Sequence, residues 1–232
     1  MSAQLRGLAT EPRAKASIET HFGHRVRELK KHDTLFSAGD RAANYYEVLN
    51  GSLLAYRMLD DGRRQGVEWV REGDICGFAT GPEHDSSCEA LETTRVRVFE
   101  KSGVSGNDDF RDRLLSQYDR QVGALYEHLL GLGRKSAAER VATLLIRQIA
   151  APGGGACPIP PERRGGAVVQ MPMSRAEMAD YLGLTIETVC RTLADMKRHK
   201  LIDIGEKRGE IEIVSVCGLC HAAKTDVCMQ SA

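Results

Sequence analysis

Glu187 and Arg191 are a hydrogen-bond acceptor and a donor fork set four residues apart. On a helix that spacing puts both on one face, one turn apart. A carboxylate can accept from the N4 amino group of cytosine, and a guanidinium can donate to O6 and N7 of guanine. With Ile186 and Cys190 they form a four-residue exposed face suited to base edges in a DNA major groove. The same pair could instead orient each other as a surface ion pair. Cys190 adds a second chemistry. A thiol in the first turns of a helix sees the positive end of the dipole, and neighbouring Arg191 also favours thiolate. Oxidation there would add bulk and, in its later stages, negative charge beside DNA phosphate.

The surrounding residues say how such a helix would be held. Ser174 and Glu177 make a capping box that opens a first helix running to about Leu182. Gly183 follows, where a helix-turn-helix needs a left-handed residue. Ala179, four residues before that glycine, is small enough for two helices to cross closely. Val189, six residues after it, supplies the apolar contact back, and Thr185 caps the second helix. Ser174, Arg175, Thr185 and Thr188 are expected to meet DNA backbone from the helix starts, and Lys197 and Arg198 from the basic end of the second helix, where Lys200 follows. Leu201 to Ile204 and Glu210 to Val214 flank Gly205-Glu-Lys-Arg-Gly209, a hairpin with a basic tip. This is a wing whose Lys207 and Arg208 would touch phosphate.

Further upstream the texture changes twice. From Val26 to about Phe99, short apolar runs alternate with Gly39-Asp40, Asn50-Gly51, Asp61-Gly62 and Gly73-Asp74, pairs suited to tight turns. Strands are predicted at Tyr45 to Leu49, Leu53 to Met58, Val67 to Val70 and Arg95 to Phe99, giving an all-β roll. Leu115, Tyr118, Val122, Leu125, Leu129 and Leu132 are then spaced 3, 4, 3, 4 and 3. That is a heptad seam, suited to pairing with a second copy along a narrow stripe. Ser136 and Glu139 cap a further helix through Ile149, with a hinge at Gly131 to Lys135. The expected organisation is a lead-in and β-roll over 1–106, a dimerisation helix over 107–133, and a winged helix-turn-helix with its tail over 134–232.

The net charge of zero assigns no partner, so nucleic-acid binding must rest on a local patch. No apolar run reaches the length of a membrane span, and the polar N-terminus has no secretory h-region, so a cytoplasmic protein is expected. In that compartment the seven cysteines should be reduced. Cys217, Cys220 and His221 match a c-type haem attachment spacing formally, and with Cys228 they could supply four zinc ligands. Their short gaps in a tail favour neither, and no metal or cofactor is assigned. The histidines are scattered, with no nucleophile–base constellation or phosphate-binding loop, so no enzyme is expected.

From Tyr181 to Leu193 the chain resembles the CRP/FNR family of bacterial transcription regulators, and the order of elements resembles it along nearly the whole chain. The FixK branch, regulators of microaerobic and nitrogen-fixation genes, is the nearest in pattern. The resemblance implies an α+β fold: an N-terminal cyclic-nucleotide-binding-like jelly roll, a long dimerisation helix and a C-terminal winged helix-turn-helix. In that family the residues matching Glu187 and Arg191 read bases, and an apolar residue at Ile186 goes with TTGA and TCAA half-sites. The implied function is an activator that binds this palindrome as a homodimer on double-stranded DNA and recruits RNA polymerase. The alternative is a ligand-dependent regulator whose roll binds a small molecule. Two departures matter. No cysteine precedes Cys76, which argues against the iron–sulfur centre of the oxygen-sensing branch. Gly77-Phe78 and Cys88-Glu89-Ala90 stand where cyclic-nucleotide readers carry Gly-Glu and a phosphate-binding Arg, and Glu89 would repel phosphate. FNR-type proteins commonly carry Ser at the place of Cys190, and the resemblance implies redox control there.

Overall fold

A computed structural model describes residues 18–21, 24–106, 108–149, 166–207 and 209–224. Residues 1–17 of the lead-in, the Gly- and Pro-rich segment over 150–165, Arg208 and Cys228 lie outside the described residues, while the end of the lead-in enters the first sheet as strands. Nine strands come first: β1 (Ile18–His21), β2 (His24–Leu29), β3 (Thr34–Phe36), β4 (Asn44–Asn50), β5 (Ser52–Met58), β6 (Arg64–Arg71), β7 (Ile75–Cys76), β8 (Ser87–Ala90) and β9 (Thr94–Glu100). They form two antiparallel sheets, ordered β1-β2-β9-β4-β7 and β3-β8-β5-β6. Leu29, Phe36, Val48, Leu53, Val70 and Val96 fill the space between them. Gly39, Gly51, Gly62 and Gly73 all have φ between 82° and 87°, as the turn pairs demand. At Gly51 no other residue would fit, since an added Cβ would meet the Thr93 carbonyl oxygen at 2.7 Å.

Helix α1 (Asp108–Arg134) follows a short 3-10 segment, and α2 (Ala137–Ile149) begins after a break at Lys135 and Ser136. The Ser136 backbone N–H donates to Glu139 at 2.7 Å, and the Glu139 N–H donates to the Ser136 hydroxyl at 3.4 Å, completing the expected box. Then come β10 (Ala167–Gln170), α3 (Arg175–Leu182), α4 (Ile186–Arg198), β11 (Ile202–Ile204), β12 (Glu210–Ile213) and α5 (Val216–Ala222). The three late strands make a sheet ordered β10-β12-β11.

Helix α1 carries two stripes. Phe110, Leu114 and Gln117 are buried, with the Phe110 ring stacked on Phe99 at 3.8 Å. On the other side Leu115 is 60% exposed and Leu129 66%, and Tyr118 and Leu125 are exposed with them. Val122 is half-buried. Leu132 ends the seam differently, because it packs on the turn at Gly183, where an added Cβ would lie 3.0 Å from its Cδ2.

The two ends of the chain share one core. Leu54 and Trp69 point outward from the four-stranded sheet and join Leu91, Val141, Leu145, Met178, Tyr181 and Leu193. Successive strand residues face opposite sides, so Leu53 fills the roll while Leu54 meets the helices, and both are fully buried. Gly66 on β6 allows the approach, since a Cβ there would fall 2.8 Å from the Tyr181 Cα.

Glu68, also on β6, faces α1 and accepts from the Gln121 amide at 2.6 Å. Burial pushes its carboxyl up to about 7; the Gln121 bond opposes this and nearby Asp74 adds to it. The folded value lies above the unfolded one, so the unfolded chain ionises first as pH rises. Stability from this group is therefore complete below pH 4.5 and lost as pH climbs to about 7. The full swing is on the order of 3 kcal/mol. Glu68→Gln should gain on the parent in denaturant midpoint between pH 5 and 8; an advantage that does not change with pH would refute the burial argument.

Candidate nucleic-acid interface

The recognition surface is built by local chemistry. Ser174 caps α3: its N–H donates to the Glu177 carboxylate at 2.5 Å, and its hydroxyl accepts from the Glu177 N–H at 3.3 Å. Gly183 closes α3 at φ 60°, ψ 43°, and its N–H donates to the Ala179 carbonyl. Thr185 then caps α4 by accepting from the Thr188 N–H at 3.2 Å, with the two hydroxyls 3.0 Å apart. Ala179 is buried at the crossing, and Val189, Thr192, Leu193 and Met196 are the inner face of α4.

The outer face of α4 presents Ile186, Glu187, Cys190 and Arg191 together, all exposed. Glu187 and Arg191 do not pair among the described residues. Glu187 instead turns to the start of its own helix, where hydrogen bonds to its own N–H and to the Thr185 side chain hold the carboxyl below the usual carboxylate range. An ionised Glu187 is an acceptor only, which suits an amino group on a base. Arg191 is exposed, and no ion pair holds its guanidinium among the described residues.

The residues expected at the DNA backbone are less uniform in their surroundings. Arg175, half-buried at the first turn of α3, donates to the Met178 sulfur at 3.5 Å. Burial lowers its pKa, and the electrostatic influence of Cys190 opposes that. Lys197 already pairs with Asp203 at 2.6 Å, and Arg198 with Asp195. Such exposed pairs are worth little, so phosphate can displace the carboxylates. Lys200 ends α4 in the left-handed region, at φ 57°. Lys207 is exposed at the wing tip, and the wing is braced by the Met171 N–H, which donates to the Gly209 carbonyl at 2.8 Å.

Two features escaped the sequence. Arg140 on α2 donates to the carbonyls of Leu132 at 2.6 Å, Lys135 at 2.9 Å and Leu182 at 2.9 Å. It thereby ties the end of α1 to the turn before the recognition helix. Tyr181 stacks on His128 of α1, with centroids 4.5 Å apart, and its hydroxyl accepts from Arg147 at 2.8 Å. In the tail, α5 leaves Cys217 and His221 exposed and buries Cys220 in the shared core, so their side chains do not converge. In the roll, Cys88 is buried in the core between the sheets, and its neighbour Glu89 faces the other way, towards α3, where Arg64 pairs with it at 2.9 Å.

Comparison with known proteins agrees with this architecture. Residues 26–105 match the cyclic nucleotide-binding domain, and residues 139–222 the Crp-like helix-turn-helix domain. The nitrogen fixation regulation protein FixK of Bradyrhizobium diazoefficiens is 35% identical over 192 residues, covering 79% of this chain and 76% of the relative. FixK of Rhizobium meliloti is 35% identical over 184 residues, covering 79% and 80%. The solved structure of FixK2 from Bradyrhizobium japonicum superposes with a TM-score of 0.73 at 28% identity, covering 86% of this chain and 96% of that one.

Proposed function

We propose, from the premise that this chain belongs to the CRP/FNR family as a DNA-binding transcription regulator of FixK/FNR type, that it reads a TTGA/TCAA-like palindrome as a homodimer. The observation that carries the reading is the shared exposed face of Ile186, Glu187, Cys190 and Arg191 on a capped recognition helix. Ile186, 47% exposed at the start of α4, offers an apolar contact for a thymine methyl. Ser174, Arg175, Thr185, Thr188, Lys197, Arg198, Lys207 and Arg208 set the register on phosphate. The roll through residue 106 and the helix over 107–133 position the reading unit over 134–232. Two copies joined along α1 carry two recognition helices, which a palindrome with half-sites about one DNA turn apart would accept. The protein acts in the cytoplasm as an activator with RNA polymerase, by binding rather than catalysis, on genes of the kind its FixK relatives are named for.

Redox control at Cys190 is part of this reading. Its thiol is exposed on the same face of α4 as Ile186, Glu187 and Arg191. Peroxide would transfer one oxygen to the sulfur, leaving as hydroxide, and the product places bulk where a base edge should sit. The test is a titration of reduced protein against a fluorescent palindrome and a scrambled duplex, read by anisotropy without added ligand. Specific binding supports the palindrome assignment, and equal affinity for both duplexes refutes it. After peroxide the parent should lose affinity while Cys190→Ser keeps it; equal loss in both would place the sensitive group elsewhere.

A further inference from the structure

Where the roll meets α3, two carboxylates share one guanidinium and a third stands beside them. Arg64 pairs with Glu89 at 2.9 Å and with Asp180 at 3.4 Å, and Glu177 adjoins them. Three negative charges against one positive leave two uncompensated. Glu177 is only 5% exposed. Its Oε2 accepts from the Ser174 N–H, but its Oε1 is buried without a hydrogen-bond partner. A buried carboxylate oxygen left so is costly unless a donor or cation meets it.

His32 closes the group from the solvent side. It sits in the turn between β2 and β3 at φ 69°, with its N–H donated to the Ala90 carbonyl at 2.7 Å, next to Glu89. Its Nδ1 lies 3.5 Å from that same Glu177 Oε1. One ligand atom each from His32, Glu89 and Glu177 lie within 4.8 Å of one another. Around a tetrahedral ion with bonds of about 2.1 Å, ligand atoms stand roughly 3.4 Å apart, a closure that modest side-chain rotation covers. Glu89 can turn its second oxygen inward while Arg64 keeps the first.

We infer that His32, Glu89 and Glu177 form a binding site for a divalent transition-metal cation that fastens the β-roll to the first helix of the helix-turn-helix. One imidazole and two carboxylates suit zinc, manganese or ferrous iron, with water completing the shell on the exposed His32 side. The charge of such an ion matches the two uncompensated carboxylates. Because Glu177 is the partner of the Ser174 cap in the box that opens α3, the ion would act on the element that precedes the recognition helix.

Cobalt(II) is the probe, titrated into chelator-stripped full-length protein and followed by visible absorption. One cobalt per chain is expected, with the ligand-field bands of a nitrogen–oxygen site and no near-ultraviolet thiolate-to-cobalt band. His32→Gly keeps the left-handed turn, and Glu177→Gln keeps the capping box, so both should fold. Each should weaken cobalt binding at least roughly tenfold. Absence of stoichiometric binding, a thiolate band that moves the metal to the cysteines, or undiminished affinity in both variants would overturn the site.

Discussion

Aspartate at Leu125 and Leu129 together should turn the protein into a folded monomer that binds the palindrome roughly 10²–10⁴-fold more weakly. Both leucines are exposed on α1, and neither belongs to a core cluster of the chain. Within one protomer the substitutions therefore remove nothing that holds the fold. In a dimer each seam leucine would bury its side chain against the partner, at about 1.5–3 kcal/mol apiece, and four aspartates would face one another instead. A monomer carries one recognition helix and must bind half-sites independently, which forfeits the effective concentration that the second helix enjoys once the first is docked. Sedimentation reads the association state and anisotropy the affinity. Unchanged thermal melting with a halved mass and a palindrome affinity close to that for a single half-site is the expected set. A dimer that survives the double substitution would mean that the seam lies elsewhere on the molecule.

The parts legible in the sequence were those fixed by short-range chemistry. Capping boxes at Ser136 and Ser174, the left-handed Gly183 and the turn glycines of the roll each depend on neighbours a few residues away. Their geometry is therefore written in the local order of residues. The heptad spacing of α1 likewise shows directly as an exposed apolar stripe from Leu115 to Leu129.

Contacts set by sheet order and domain docking were not legible. Leu53-Leu54-Ala55 reads as one apolar run, and alternation alone cannot say that its outer member meets α2, α3 and α4. Strand β10 is short, and its pairing with β12 spans the whole of α3, α4 and β11. The group of His32, Glu89 and Glu177 draws on a turn, a strand and a helix far apart in the chain, so scattered histidines gave no warning of it. Glu187 and Arg191 have the spacing of an ion pair, yet the unsatisfied N–H groups at the start of α4 and the Thr185 hydroxyl compete for the carboxylate. Helix ends offer donors that a spacing rule leaves out. The consequence is that the two side chains do not neutralise each other on the exposed face of α4.

Arg191→Ala should cost about 1–3 kcal/mol on the palindrome, or roughly 5- to 150-fold, and should flatten discrimination at the base pair it reads. The guanidinium is exposed, holds no ion pair among the described residues and lies outside the buried face of α4, so the fold does not depend on it. The loss should be specific: affinity for a scrambled duplex should barely move, and so should the slope of log affinity against log salt, since that slope counts phosphate contacts. Arg191→Lys should rescue only in part, because a flexible ammonium lacks the planar two-donor fork that matches O6 and N7. Titrating both variants against duplexes carrying each of the four base pairs at one half-site position separates the cases. A parallel loss on every duplex, with a shallower salt slope, would make Arg191 a phosphate ligand and leave Glu187 and Ile186 to carry the reading alone.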